Sequence, residues 1–468
     1  MKKSGNNKVI KAGVGYTAAN VLIKGLSFLT LPLFSRIMTT EQFGVYNVFV
    51  SYESMLSLVV GFAIHSSLKS ANLRFKDEIN EYTSSVSLIY ILSGCIWLLL
   101  SLVFNRSLSE WMEMKGIVVP LMVLYSFGSA VILLYNNRIS LEYAYKRYLG
   151  IALLNAVGNI ALSLLLMFTV FSKERDVGRI VGVSVSIFCL SAALVLAMFR
   201  KAKPRYNKAY WRFAMAFSLP MVPHGISQVL LGQFDRIMIQ KICGNSDAGI
   251  FSLASNIKMI AVVLIDSLTT TWGVWFFKKM AADGKREVQH RAAQLCGLFC
   301  VLSIGLMAIS PELILILGGE EYKAGQYVAI PMIVDAFILF VYSVIVQSEY
   351  YKNKTIFVMT GTLIAAVIDI VLNLIFIPRY GFVAAAYTTL VAYICYLILH
   401  CLISRRLVGF WVVPLKWLFA FAGIITAFAL WNRYFIDTLW IRWLTGMIAA
   451  VVIGWFFARE YIVSLLRR

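Results

Sequence analysis

The run LLNAVGNIALSLLL (residues 153–166) returns as LIAAVIDIVLNLIF (residues 363–376) at a constant displacement of 210 positions. Both copies are apolar almost without interruption and lack the two-residue alternation of a barrel strand, so each reads as a helix in hydrocarbon. The displacement sets Asn159 opposite Asp369 and Ser163 opposite Asn373. Two further echoes stand at other displacements. Glu142-Tyr143 is matched by Glu349-Tyr350, and SRIMTTEQFGVYNVF (35–49) by DRIMIQKICGNSDAGIFSLA (235–254), with an insertion in the second copy. A chain built twice from membrane helices is the organisation of many secondary transporters.

Composition agrees. Of the 468 residues, 60% are hydrophobic and only 14% charged, against roughly 45–50% and 25% in soluble domains. That excess excludes a soluble fold. Apolar runs of spanning length recur at roughly 14–37, 44–67, 84–104, 117–136, 149–171, 178–199, 212–239, 248–277, 292–310, 327–348, 356–377, 382–403, 411–431 and 438–458, each near the ~20 residues that cross a bilayer. The predicted fold class is therefore an all-α integral membrane protein of fourteen spans. Six plus six spans form two parallel lobes, residues 1–200 and 201–403, and residues 404–468 supply an additional C-terminal helix pair. The basic stretch from Arg200 to Arg212 reads as the linker between lobes, and Lys69 to Tyr82, with Leu73, Phe75 and Ile79, as a short interfacial amphipathic helix.

The formal net charge is +20, a balance shared with nucleic-acid-binding proteins, but here the charge is topological. Most Lys and Arg fall in loops on the side of the N-terminus, including the clusters Arg200–Arg212 and Lys278–Arg291. The positive-inside bias therefore puts both termini in the cytoplasm and leaves no nucleic-acid surface. The basic N-terminus leads into a run too long for a signal peptide. Seven cysteines form no CxxC pair and read as core residues, with no structural metal site. Motifs of ATPases, zinc proteases and serine hydrolases are absent, so no catalytic residue is assigned.

Function is expected at the charges that remain inside the spans, because an ionisable group at mid-bilayer costs about 2.5–3.5 kcal/mol to insert. These are Lys24, Glu53, Asp235, Arg236, Lys258, Asp266, Asp335, Asp369 and Lys416, with Arg36 at a span edge. At ~1.5 Å per residue, Lys24 and Glu53 reach similar depth near the midplane on neighbouring spans and are expected to pair, and Lys258 reaches the same level in the second lobe. One lysine per lobe suits an anionic cargo. Lys24, Lys258 and Arg236 are the candidate substrate-binding cations, with Arg36 a weaker charge at its span edge. Glu53, Asp235, Asp266 and Asp369 are candidates for coupling or structural charge, Asp369 with Asn373 being of the type that holds a proton or sodium ion. No cofactor is expected beyond such H+ or Na+ coupling. Pro32, Pro220, Pro223, Pro331 and Pro414 mark bends.

The segment NVLIKGLSFLTLPLFSRIMTTEQFGVYNVFVS (20–51) resembles the opening of the polysaccharide and O-antigen flippase family of the MOP transporter superfamily. QFDRIMIQKICGNSDAGIFSLASNI (233–257) and IPRYGFVAAAYTTLVAY (377–393) are similar to later segments of that family. The resemblance covers most of residues 10–403. It implies a MATE-like pair of six-helix lobes around a cavity that opens alternately to each face of the bacterial cytoplasmic membrane. It also implies a polyprenyl-diphosphate-linked oligosaccharide as cargo, membrane lipids as surroundings, and a glycan polymerase and glycosyltransferases as partners. Lys24 and Arg36 match the family's cationic cavity, with Lys258 and Arg236 as second-lobe candidates. Two readings compete. A multidrug cation antiporter of the MATE branch would rely on buried carboxylates, and a membrane glycan polymerase would need a large acidic or metal-binding loop that is not evident.

Overall fold

The computed structural model describes the backbone of residues 2–466 and the side chains of residues 15–455 other than Thr17 and Val21. Every regular element among the described residues is helical. Two compact units emerge, one of Met1–Thr30 with Glu41–Ile237 and one of Leu31–Thr40 with Met238–Arg468.

The first unit holds most of α1 (Lys2–Ile37), then α2 (Thr40–Val60), the short α3 (Leu68–Arg74), α4 (Ile79–Val103), the short α5 (Asn105–Met112), α6 (Val118–Ser140), α7 (Tyr145–Phe168), α8 (Arg175–Lys201), α9 (Lys208–Ser218) and most of α10 (Met221–Cys243). Its core joins α3, α4, α6, α8 and α9 through Leu68, Tyr82, Tyr90, Val131, Leu134 and Ala214. The expected amphipathic helix is shorter than the sequence suggests. Helix α3 buries Leu68 and Ala71 and turns Leu73 outward, and Ile79 belongs to α4.

The second unit contains α11 (Asn245–Ala281), α12 (Lys285–Gly318), α13 (Gln326–Ile345), the short α14 (Gln347–Tyr351), α15 (Thr355–Tyr380), α16 (Val383–Val408), α17 (Leu415–Tyr434) and α18 (Leu439–Leu466). Helix α13 is hydrophobic all round because it is enclosed by its neighbours, with 78% of its apolar window buried. Phe299 and Phe340 stack with centroids 4.2 Å apart where α12 meets α13. Helices α17 and α18 pack on α12, where Arg442 donates to the Ala308 carbonyl at 2.7 Å and forms an ion pair with Glu312. The terminal pair is thus part of the second unit. Gly381, at φ +72°, ends α15 in the left-handed conformation that favours glycine.

Among the described residues twelve helices are long and apolar enough to cross a membrane, and α9 with α10 make a thirteenth when counted as one span. Helix α18 contributes a shorter apolar stretch, Leu439–Trp455. The fourteen expected runs all fall on helices. The seventh is broken: α9 and α10 meet at 40°, and Pro220 lies in the junction, where it lacks an N–H to continue the ladder. The boundary between units also differs from the expected 200/201. It falls inside α10, because α9 buries Tyr210 and Ala214 in the core of the first unit.

Candidate functional site

In the first unit Glu53 lies on α2 with 6% exposure. Ser129 of α6 hydrogen-bonds its carboxylate, while its Oε1 is buried with no hydrogen-bond partner. The expected ion pair with Lys24 is not formed among the described residues. The reason is local: α6 brings Ser126 to the Glu53 carbonyl at 3.5 Å and Ser129 to the carboxylate, so the acid is held by hydroxyls of its own bundle. Lys24 is half-buried on α1. The aromatic floor around Glu53 includes Phe49 and Tyr125, with centroids 5.8 Å apart. Tyr46, one turn earlier, carries the Arg179 guanidinium 3.8 Å above its ring.

Arg236 on α10 is drawn towards α2. Its Nη1 donates to Gln233 Oε1 at 3.2 Å, and Gln233 Nε2 donates to Ser54 Oγ at 3.4 Å. A guanidinium is therefore oriented by a two-step hydrogen-bonded chain that ends beside Glu53. Asp235 is buried at 4% and leaves the α10 axis about 100° from Arg236, as adjacent residues on a helix do.

In the second unit Lys258 of α11 forms an ion pair with Asp335 of α13. Its ammonium also lies 4.9 Å from the ring centroid of Tyr393 on α16. The lysine is 17% exposed and the aspartate 1%, so the cation is the reachable partner and the anion the sealed one. Asp369 is 1% exposed on α15. Asn373 follows one turn later and accepts a hydrogen bond from Thr388 of α16. Asp266 is exposed.

Arg36 is otherwise engaged. Its Nη2 donates to the Ile316 carbonyl at 2.9 Å, and Ser35 donates to the Leu317 carbonyl. Both carbonyls belong to the last turn of α12, where no intrahelical donor remains, and a cation there also meets the negative end of the helix dipole. Lys416 is exposed at the start of α17, 5.6 Å from the Trp417 ring.

Sequence reasoning missed two buried pairs. Arg442 lies in the last apolar run, 2% exposed, and meets Glu312 beside Pro311. Glu349 and His400 meet through Oε1 and Nδ1 at 2.6 Å with both side chains wholly buried. Arg442 was visible as a charge in an apolar run, but neither partner could be assigned without the packing. No group of His, Cys, Asp and Glu suited to a metal occurs among the described residues.

A family model described as polysaccharide biosynthesis protein matches residues 10–277, more than half of the chain. The chain belongs to the polysaccharide biosynthesis protein family. The capsular polysaccharide biosynthesis protein CapF of Staphylococcus aureus is 24% identical to this family member over 411 residues, 83% of this chain and 97% of that one. The probable low-salt glycan biosynthesis flippase Agl15 of Haloferax volcanii is 20% identical over 393 residues, 82% and 80% of the two chains. Among solved structures, the lipid II flippase MurJ in an inward closed conformation has a TM-score of 0.72 at 14% identity, covering 96% of this chain and 99% of that one. An inward-facing multidrug resistance transporter of the MATE family has a TM-score of 0.66 at 13% identity, covering 82% and 94%. This polysaccharide biosynthesis protein is thus, over its described residues, an all-α, multi-pass membrane protein with a fold like that of the MurJ and MATE-family structures.

Proposed function

We propose that the protein is a flippase that carries a polyprenyl-diphosphate-linked oligosaccharide across the cytoplasmic membrane by alternating access, for cell-surface polysaccharide synthesis. The observation that carries this reading is Lys258, a cation in the interior of a spanning helix whose ammonium is reachable while its Asp335 partner is sealed. A diphosphate can take over that ammonium, and a proton on Asp335 lowers the cost of the exchange, because it removes the buried charge left behind. Lys24 and Arg236 serve the same cargo from the first unit. Asp369 and Asn373 supply the coupling site for H+ or Na+. Both termini face the cytoplasm, where glycosyltransferases build the cargo, and a polymerase consumes it on the other side.

The physical task is limited. The prenyl tail stays in lipid, and only the charged headgroup and sugars need shelter from hydrocarbon. Reconstitution in vesicles with a lipid-linked oligosaccharide tests the reading. Lys258→Glu and Lys24→Glu are each expected to lower translocation about tenfold or more, since one charge-assisted contact is worth roughly 1.5–3 kcal/mol. Lys258→Arg should retain much of the rate. Unchanged transport in both glutamate variants would reject the cationic site. Efflux of organic cations that requires Asp369, with no movement of the lipid-linked sugar, would favour the antiporter reading.

A further inference from the structure

Outside the charges just described, the first unit has a second cationic feature. Arg74, at the end of α3, and Lys208 and Arg212, one turn apart on α9, line a cavity of about 650 Å³ together with Ala209, Phe213 and Ala216. Positive charge on this side of the membrane is general in the chain, but a topological bias needs neither a cavity nor a fixed geometry, and this site has both. Arg74 is held by rings. Its guanidinium carbon lies 5.3 Å from the Phe213 centroid and 5.5 Å from that of Phe75. Those rings are locked in turn, Phe75 against Tyr210 at 5.0 Å and Phe213 at 5.4 Å, and Tyr82 against Phe75 at 5.6 Å.

The cations are also left uncompensated by the protein. Lys208 and Arg212 stand four residues apart on one helix face, a spacing at which like charges repel. Glu78, the acid that α9 meets through Tyr210, accepts that tyrosine's hydroxyl at 2.5 Å. Among the described residues none of the three cations forms an ion pair or a hydrogen bond through its charged group. Lys208 opens α9, whose N-terminus adds positive potential. An anion in the cavity relieves all of this at once.

The surroundings specify what kind of anion. On the same elements, Leu73, next to Arg74 in the chain, is 85% exposed, Phe217 on the last turn of α9 40%, and Leu219 just beyond it 52%. A soluble anion has no use for that apolar skirt, whereas a lipid places its headgroup on the cations and its chains along the skirt. Basic pockets between helices at the membrane surface recognise headgroups in this way, and three cations in one pocket suit more than a single phosphate charge. We propose that this pocket binds a lipid headgroup carrying two phosphates. Two sources share that chemistry, a two-phosphate phospholipid of the leaflet and an isoprenoid diphosphate. If it is the latter, the pocket is where the cargo of the proposed flippase first docks.

Native mass spectrometry of the full chain in detergent, titrated with cardiolipin, phosphatidylglycerol, phosphatidylcholine and farnesyl diphosphate, tests the proposal. Cardiolipin or farnesyl diphosphate is expected to bind about tenfold tighter than phosphatidylcholine. The double variant Arg74→Gln/Arg212→Gln should reduce that preference to about threefold or less, and Arg212→Lys should keep it. Ala216→Trp fills the cavity without changing charge and is expected to abolish the preference as well, which covers the case that the double variant fails to fold. Equal affinity for all four probes, or a preference untouched by both variants, overturns the site. Displacement of cardiolipin by farnesyl diphosphate identifies the carrier, and retention of cardiolipin identifies the leaflet phospholipid. Neither result depends on transport, so a failed translocation assay with intact headgroup selectivity rejects the flippase reading and leaves the pocket standing.

Discussion

Glu142 and Glu349 each open a Glu-Tyr dipeptide ahead of the similar apolar helices α7 and α15, yet the protein treats them in opposite ways. Glu142 keeps 34% of its side chain exposed and gathers three cations, Arg138 at 3.1 Å, Arg147 at 3.2 Å and Lys201 at 3.6 Å. Glu349 is wholly buried and has one partner, His400. The imidazole is walled by Tyr396 and Tyr342, with centroids 4.5 and 4.9 Å away, and Ser348 hydrogen-bonds Ser404 beside it at 2.7 Å. One oxygen of Glu349 and one nitrogen of His400 have no hydrogen-bond partner among the described residues. The same Glu-Tyr signature thus serves as a wet, many-partnered staple in one copy and a dry, single-partnered one in the other. Energetically these are different devices. Exposed pairs are individually weak and replaceable, whereas a buried pair is costly to break because the survivor is stranded.

That contrast can be broken by mutation. The largest effect is expected for Glu349→Ala, which strands His400 and should cost about 3 kcal/mol or more in unfolding followed in mixed micelles. If Glu349→Ala and Glu142→Ala prove equally mild, the dry pair has no special weight. Next comes Gly361→Ala. A Cβ there would stand 2.3 Å from His400 Nε2, so the ring must shift and about 1–3 kcal/mol should be lost. Gly150 in α7 provides the control, since a Cβ there meets nothing within 4 Å and alanine should be neutral or stabilising by up to ~1 kcal/mol. The smallest effect is expected at Glu142→Ala, about 1 kcal/mol and shrinking as salt is raised, because Arg147 and Lys201 are largely in water and the buried Arg138 keeps Asn80 as a partner. A double-mutant cycle sharpens the comparison further. Coupling between Glu349 and His400 should exceed that between Glu142 and Arg147, read from the same unfolding curves.

The lysines repeat the lesson at the candidate site. Lys24 and Lys258 were both legible as charges where hydrocarbon tolerates few, and so were Asp335 and Asp369. Their partners were not. Asp335 lies 77 residues from Lys258, and Glu312 lies 130 residues from Arg442. No periodicity in the chain connects such positions. Arg36 looked like a cavity cation from its place at a span edge, but the end of α12 lies within its reach and uses it as a cap. Glu53 looked like the natural partner of Lys24 from depth alone, and hydroxyls of α6 took that role instead.

The sequence by itself determined that this protein lives in a membrane, where its helices run, and which charges are out of place in hydrocarbon. Each of these follows from the free energy of individual residues in a slab of lipid, and that quantity is written along the chain. Tertiary structure alone decided which charges are neutralised and by whom, which glutamate of a matched pair is dry, that the unit boundary falls inside a spanning helix, and that three cations from two distant segments share one cavity. Those outcomes depend on which helix faces meet, and a side chain's partner is chosen by distances that form only when the bundle closes.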